Sequence, residues 1–104
     1  MYSLIVLNNT EKNRFNCVFW ARDKKPNLPF GLFTLCDKVM IINSYTPRIG
    51  SVAVMNVGLP WGHLGIVKDF KNGMLTIQEA NFKLGKITER WGTFEDLKIL
   101  GFFN

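Results

Sequence analysis

Gly58-Leu59-Pro60-Trp61-Gly62-His63-Leu64-Gly65-Ile66-Val67 is the stretch around which this chain is organised. It holds the only histidine. A loop punctuated by Gly and Pro delivers His63 to the head of the apolar run Leu64 to Val67, which reads as a buried strand. General acid-base chemistry needs an imidazole placed that firmly, with a pKa near neutrality. A histidine that merely caps a strand end is the bland alternative.

Working outward, the strand is expected to run to about Phe70. Asn72-Gly73 is a hairpin signal, and Met74 to Asn81 is the returning strand. Pro47 and Gly50 frame a turn before a strand at Ser51 to Val57. Lys86 to Trp91 and Leu97 to Phe103 complete an antiparallel sheet, with Phe94-Glu95-Asp96 as the turn between them. Upstream, Tyr2 to Leu7 is a short strand, broken by Asn8-Asn9-Thr10. Asn13 and Asn16 are both good caps for a helix over Cys17 to Asp23, stopped by Pro26. A second helix is expected from Thr34 to Ile41, with Phe33, Leu35 and Val39 facing inward and Cys36 a small buried hydrophobe. Helices first and strands second give an α+β fold, with helices packed on one side of an antiparallel sheet.

The totals fit one domain over residues 1–104, with 1–12 as a lead-in strand. The chain is 47% hydrophobic and carries a net charge of +5. The basic residues are scattered, so no nucleic-acid stripe is present, and a diffuse positive field suits a polyanion or plain solubility. No apolar run approaches the ~20 residues of a membrane span, and no signal peptide is expected at the start. Two cysteines outside any CxxC and a single histidine make neither a disulfide framework nor a zinc site.

Cys17 falls in the first turn of its helix, where unsatisfied N–H groups and the helix dipole favour a thiolate, the nucleophilic form. Glu79 and Asn81 stand two apart on one strand and share a face. A carboxylate and an amide beside an imidazole can hold its tautomer and stabilise its cation. Cys17 at a helix start, His63 at a strand start and a polar pair one strand later form a specific ordering. The register must be odd for it to work. An Asn72-Gly73 two-residue turn with an unbroken ladder would pair Ile66 with Glu79 and put Glu79 on the face away from His63. A three-residue loop, Lys71-Asn72-Gly73, ending in a left-handed glycine, pairs Phe70 with Met74, Val67 with Ile77, Gly65 with Glu79 and His63 with Asn81. Gly65 then leaves room for the Glu79 carboxylate beside the ring.

Asn16-Cys17-Val18-x-x-Ala21-Arg22, Gly50-Ser51-Val52-Ala53-Val54-Met55, Gly62-His63-Leu64-Gly65-Ile66-Val67 and Thr76-Ile77-Gln78-Glu79-Ala80-Asn81 together resemble the CHAP domain, the cysteine, histidine-dependent amidohydrolase/peptidase. The resemblance runs from about residue 16 to Leu97-Lys98-Ile99-Leu100-Gly101-Phe102-Phe103. It implies a papain-like fold of the NlpC/P60 type. The implied activity is thiol-dependent hydrolysis of bacterial peptidoglycan, as an N-acetylmuramoyl-L-alanine amidase or a peptide-bridge endopeptidase. By motif, it makes Cys17 the nucleophile, His63 the base, Glu79 the third residue and Asn81 the accompanying amide. The Cys17 N–H is one expected oxyanion donor and the Asn16 side chain a second. Trp61 is a candidate wall of the substrate groove, or else a core aromatic. The loop Pro26-x-x-Pro29-x-Gly31-Leu32 looks most like phage-encoded members.

That likeness implies synthesis in a host cytoplasm and action on the wall after holin-type release or delivery by a virion, with other virion or wall-binding proteins as partners. One departure is the segment Asn8-Asn9-Thr10-Glu11-Lys12-Asn13-Arg14. It has one acid and two bases where some phage members carry an Asp-rich calcium loop, so no calcium, and no cofactor of any kind, is expected. The alternatives are a non-catalytic structural or wall-adhering subunit of a phage particle, and a papain-like amidase or protease on a non-wall substrate.

Overall fold

The computed structural model describes residues 1–13 and 16–104. Arg14, the end of the segment read for calcium ligands, lies outside the described residues. The chain order is β1 (Ser3–Asn9), α1 (Asn16–Lys24), α2 (Leu35–Val39), β2 (Val52–Met55), β3 (His63–Lys71), β4 (Met74–Ala80), β5 (Lys86–Gly92), α3 (Phe94–Leu97) and β6 (Ile99–Phe103). The strands form one antiparallel sheet in the order β1-β5-β4-β3-β2-β6. The α+β class and the antiparallel sheet are therefore as expected. The lead-in strand is part of that sheet, as the edge partner of β5. No helix among the described residues is long and apolar enough to cross a membrane.

Strand alternation divides the core into two layers. Val52, Val54, Leu64 and Ile66 point to the face covered by α1, where they pack with Cys17, Val18, Ala21, Leu28 and Leu32. Ala53, Met55, Val67, Ile77 and Phe102 point to the opposite face and pack with Leu97 of α3. That third helix replaces the turn expected at Phe94-Glu95-Asp96, and β6 begins at Ile99 rather than Leu97. Its cause is local. The Thr93 hydroxyl accepts from the Asp96 N–H and the Asp96 carboxylate accepts from the Thr93 N–H, a reciprocal cap that starts a helical turn.

The second helix is rotated from its expected setting. Lys38, not Val39, is the residue it buries, while Phe33 is 60% exposed, Val39 41%, and Cys36 is also exposed. The Lys38 ammonium donates to the carbonyls of Leu32 (2.9 Å) and Trp61 (2.5 Å). Those two bonds turn positions 35 and 38 inward and leave Cys36 and Val39 outside. A buried cation with satisfied donors outweighs the burial of one valine, because an ammonium stranded without partners costs several kcal/mol.

The hairpin between β3 and β4 reaches the required register by another route. Lys71 pairs with Met74 across a two-residue Asn72-Gly73 turn, with φ of 55° and 76°. Both positive angles suit the type I′ turn that matches strand twist. The ladder then slips between Val67 and Asp69, so Lys68 is an extra, bulged residue. Beyond the bulge Val67 pairs with Ile77 and Ile66 with Gln78, the pairing expected near the site. Lys68 and Asp69 are both exposed, so a bulge here unpacks nothing. The three-residue loop is thus corrected to a two-residue turn plus one bulge.

Gly65 is needed for a different reason from the one anticipated. A Cβ there would lie 2.3 Å from Cγ2 of Ile77 and 3.1 Å from Cε of Met55. The space belongs to those two side chains rather than to Glu79. Gly65→Ala is expected to destabilise the protein by about 1–3 kcal/mol, as overpacking of a filled core does. Urea unfolding checks this, and an unchanged midpoint would refute the contact.

Candidate functional site

Cys17 is the second residue of α1, in the turn whose N–H groups have no helical acceptor. His63 is the first residue of β3, and Glu79 stands near the end of β4. With the bulged register, Glu79 and His63 share the face opposite α1. The thiol comes from α1 and packs in the layer on that side. It hydrogen-bonds the His63 ring and takes a backbone hydrogen bond from Leu64. His63 Nε2 lies 3.0 Å from Glu79 Oε1, which leaves Nδ1 as the ring nitrogen for Cys17. The three side chains therefore form one chain, with His63 3% exposed, Cys17 2% and Glu79 0%.

Beyond Glu79 the chain continues to Arg90, which sequence reasoning missed. Arg90 is 1% exposed and grips the carboxylate with both arms, Nε to Oε2 at 2.9 Å and Nη2 to Oε1 at 2.7 Å. The Thr88 hydroxyl, directly across from Glu79 on β5, donates to Oε2 at 3.4 Å. The guanidinium is stacked 3.5 Å from the centre of the Phe82 ring and lies 4.8 Å from that of Tyr2. Phe82 in turn contacts the His63 ring, centroid to centroid at 5.8 Å. A sequence signal existed, since a glutamate assigned to the interior requires a cation on a neighbouring strand, and Arg90 alternates with Thr88 on the facing one.

The charges follow from this geometry. Burial pushes the Glu79 carboxyl up, but the hydrogen bonds and charges of His63 and Arg90 outweigh it and hold the group below its ordinary value. Burial pushes the His63 cation down, yet its bonds to Cys17 and Glu79 raise it to about 9. Burial also pushes the Cys17 thiol up, and the hydrogen bond and charge of His63, the Leu64 backbone and the Lys38 charge together bring it below the ordinary thiol value. A lowered thiol beside a raised imidazole favours the thiolate–imidazolium pair over the neutral pair, and the thiolate is the reactive form of a cysteine.

Two expected members stand elsewhere. Asn81, at φ 61°, spends its amide on the backbone. Nδ2 donates to the carbonyls of Glu11 (2.9 Å) and Asn13 (2.7 Å), and Oδ1 accepts from the Gly85 N–H (2.7 Å). It ties the segment before α1 to the end of β4 and is not a partner of the imidazole. The Asn16 amide likewise donates to Thr10 Oγ1 at 2.7 Å and the Glu11 carbonyl at 3.4 Å. Trp61 is half-buried two residues before His63, and its carbonyl holds Lys38. Among the described residues no group of three or more His, Cys, Asp or Glu side chains is set to hold a metal.

Comparison with family models, with curated proteins and with solved structures returns no match for this chain. Its chemistry rests on the geometry above.

Removing Arg90 should leave a buried carboxylate only partly compensated. Arg90→Met is expected to cost about 3–5 kcal/mol, and Glu79→Leu/Arg90→Met to recover much of it, because both charges then leave together. Denaturant titration of the two variants decides this. The Glu79 contribution is present above the unfolded value of 4.5 and is lost as pH falls through the lowered folded value. The gap between wild type and the double variant should therefore narrow below pH 4.5.

Proposed function

We propose that this chain is a thiol-dependent amidohydrolase of the papain-like, CHAP type that cuts amide bonds in bacterial peptidoglycan. The observation that carries the reading is the continuous Cys17-His63-Glu79 chain, with Arg90 fixing its far end. The Cys17 thiolate attacks the amide carbonyl carbon. The tetrahedral oxyanion is held by N–H groups at the head of α1, with the Cys17 N–H as the proposed donor. His63 Nδ1 gives its proton to the leaving amine as the C–N bond breaks, and a thioester remains. Water then attacks the thioester and His63 takes its proton. The C–S bond breaks and the thiolate–imidazolium pair returns. Glu79 keeps the ring oriented and stabilises its cation. Trp61, beside His63, is proposed as a wall of the groove.

The wall as substrate, a phage origin, and release by a holin or carriage on a virion come with the CHAP resemblance. A net charge of +5 suits an anionic wall polymer. One observation favours a second reading, a non-catalytic subunit of a phage particle: the thiol and the ring are 2% and 3% exposed, so a substrate has to displace what covers them.

Digestion of purified peptidoglycan from several hosts, with mass identification of the new ends, separates these readings. Wild type should release defined amide-cleavage products. Cys17→Ala and Cys17→Ser should release none while retaining the fold, and Cys36→Ser should keep most activity. Lysis by Cys17→Ala would end the nucleophile assignment. Cleavage of simple amides but of no wall would leave the chemistry and remove the substrate, and a stable wild type inert on both would favour the subunit.

The rate should also trace a bell in pH. The acid limb marks thiolate formation and falls below the ordinary thiol value. The alkaline limb falls near pH 9, where His63 loses the proton that the leaving amine requires. A profile still rising above pH 10 would contradict the His63 role.

A further inference from the structure

Lys38 is fully buried. Among the described residues no carboxylate lies within ion-pair distance of it. Its neighbour Asp37 spends its carboxylate on the Phe33 and Thr34 N–H groups at the head of α2. A cation taken out of water with only two carbonyls beside it is expensive, and a negative charge nearby has to offset that cost. The two carbonyls it bonds are informative. Leu32 packs in the same core cluster as Cys17, and Trp61 stands two residues before His63. The ammonium thus ties the strand of loop on the nucleophile's side to the loop that delivers the base.

The rest of α2 reinforces that tie. The Leu35 N–H donates to the Pro60 carbonyl at 2.9 Å. A Cβ at Gly62, whose φ is +67°, would stand 2.8 Å from Leu35 Cδ1. The helix is therefore docked on the Pro60-Trp61-Gly62 segment at three points, immediately before His63.

We propose that Lys38 is a positioning residue of the site: its buried ammonium is the counter-charge of the Cys17 thiolate and, through the Trp61 carbonyl, fixes the loop that places His63. The proposal rests on the reading of Cys17 and His63 as a nucleophile–base pair. Burial pushes the Lys38 ammonium below its ordinary value, and the charges of Cys17 and then Asp37 work against that; the Lys38 charge in turn lowers the Cys17 thiol. The other charged groups around the thiol are His63 on β3 and, behind it, Glu79 on β4 and Arg90 on β5. These last two offset one another, and among the described residues Lys38 is the cation besides His63 whose charge lowers the thiol.

The test titrates the thiol and needs no amide substrate. In a Cys36→Ser background, the pH dependence of iodoacetamide alkylation reports Cys17 alone. Lys38→Met should move the thiolate midpoint up by about one pH unit, the size expected for loss of a nearby opposite charge. Lys38→Arg should hold it close to wild type. An unmoved midpoint in a folded Lys38→Met protein would overturn the proposal. Where Lys38→Met does not fold, the ammonium is titrated by NMR in Cys17→Ser, which leaves Lys38 in place. Its pKa should fall by about one unit without the thiolate, and an unchanged value would overturn the proposal equally. A wild-type thiol that titrates as an ordinary one sinks the Cys17-His63 pair itself. A low-titrating thiol in a protein that cuts no wall sinks only the substrate.

Discussion

One oxygen atom, Oε1 of Glu79, accepts from the imidazole of His63 and from the guanidinium of Arg90. Both donors and the acceptor are withdrawn from water, so none of the three can be removed without leaving a charge stranded. The arrangement constrains the sheet more than any apolar contact does. It requires β3, β4 and β5 to be neighbours in that order, and it requires His63, Glu79 and Arg90 to point the same way. The two-layer core follows from the same constraint. The layer opposite α1 contains this polar chain and closes around it with Met55, Ile77 and α3, while the α1 layer packs Val18, Ala21, Leu28 and Leu32 around the thiol.

A committed carboxylate also shapes the chemistry. Held by Arg90, Glu79 stays anionic and cannot take the imidazole proton for itself. It can orient the ring and favour its cation, and the proton remains available on the side facing Cys17. The thiol, by contrast, owes its state to groups from separate elements: a helix start, the end of β3 and the lysine of α2. The thiol is thus conditioned by tertiary structure, and the imidazole by the sheet.

The helix start near Cys17, the strand start at His63 and the pairing of Val67 with Ile77 were legible because each rests on a readable signal: apolar residues at helical spacing, a Gly/Pro loop before an apolar run, and the demand that two polar residues share a face. The device that sets the register was not. Lys68 and Asp69 look like any exposed pair, and nothing in the residues themselves marks a bulge. Lys38 was hidden for a related reason. Helical spacing assigns the inward face to apolar residues, and two carbonyls outside the helix, one of them 23 residues away in sequence, reverse that choice. Asn81 was expected opposite His63, but it lies just past the end of β4 and its amide is claimed by a backbone that joins it from residues 11 and 13. The cap at Thr93 was there to be read, since Thr-x-x-Asp announces a helical turn.

The β3–β4 hairpin combines two irregularities, a two-residue turn and a single bulged lysine, that cancel in phase. Its tip therefore obeys a counting rule. Lengthening or shortening the chain between Val67 and Ile77 by one residue inverts which side of the sheet Glu79 meets, whereas a change of two leaves it where it is. Natural variants of this hairpin should accordingly differ by even steps, or lose the bulge in the same event that alters the turn. A single-residue insertion anywhere along that exposed tip, far from any reacting atom, would act on the site as a frameshift acts on a message.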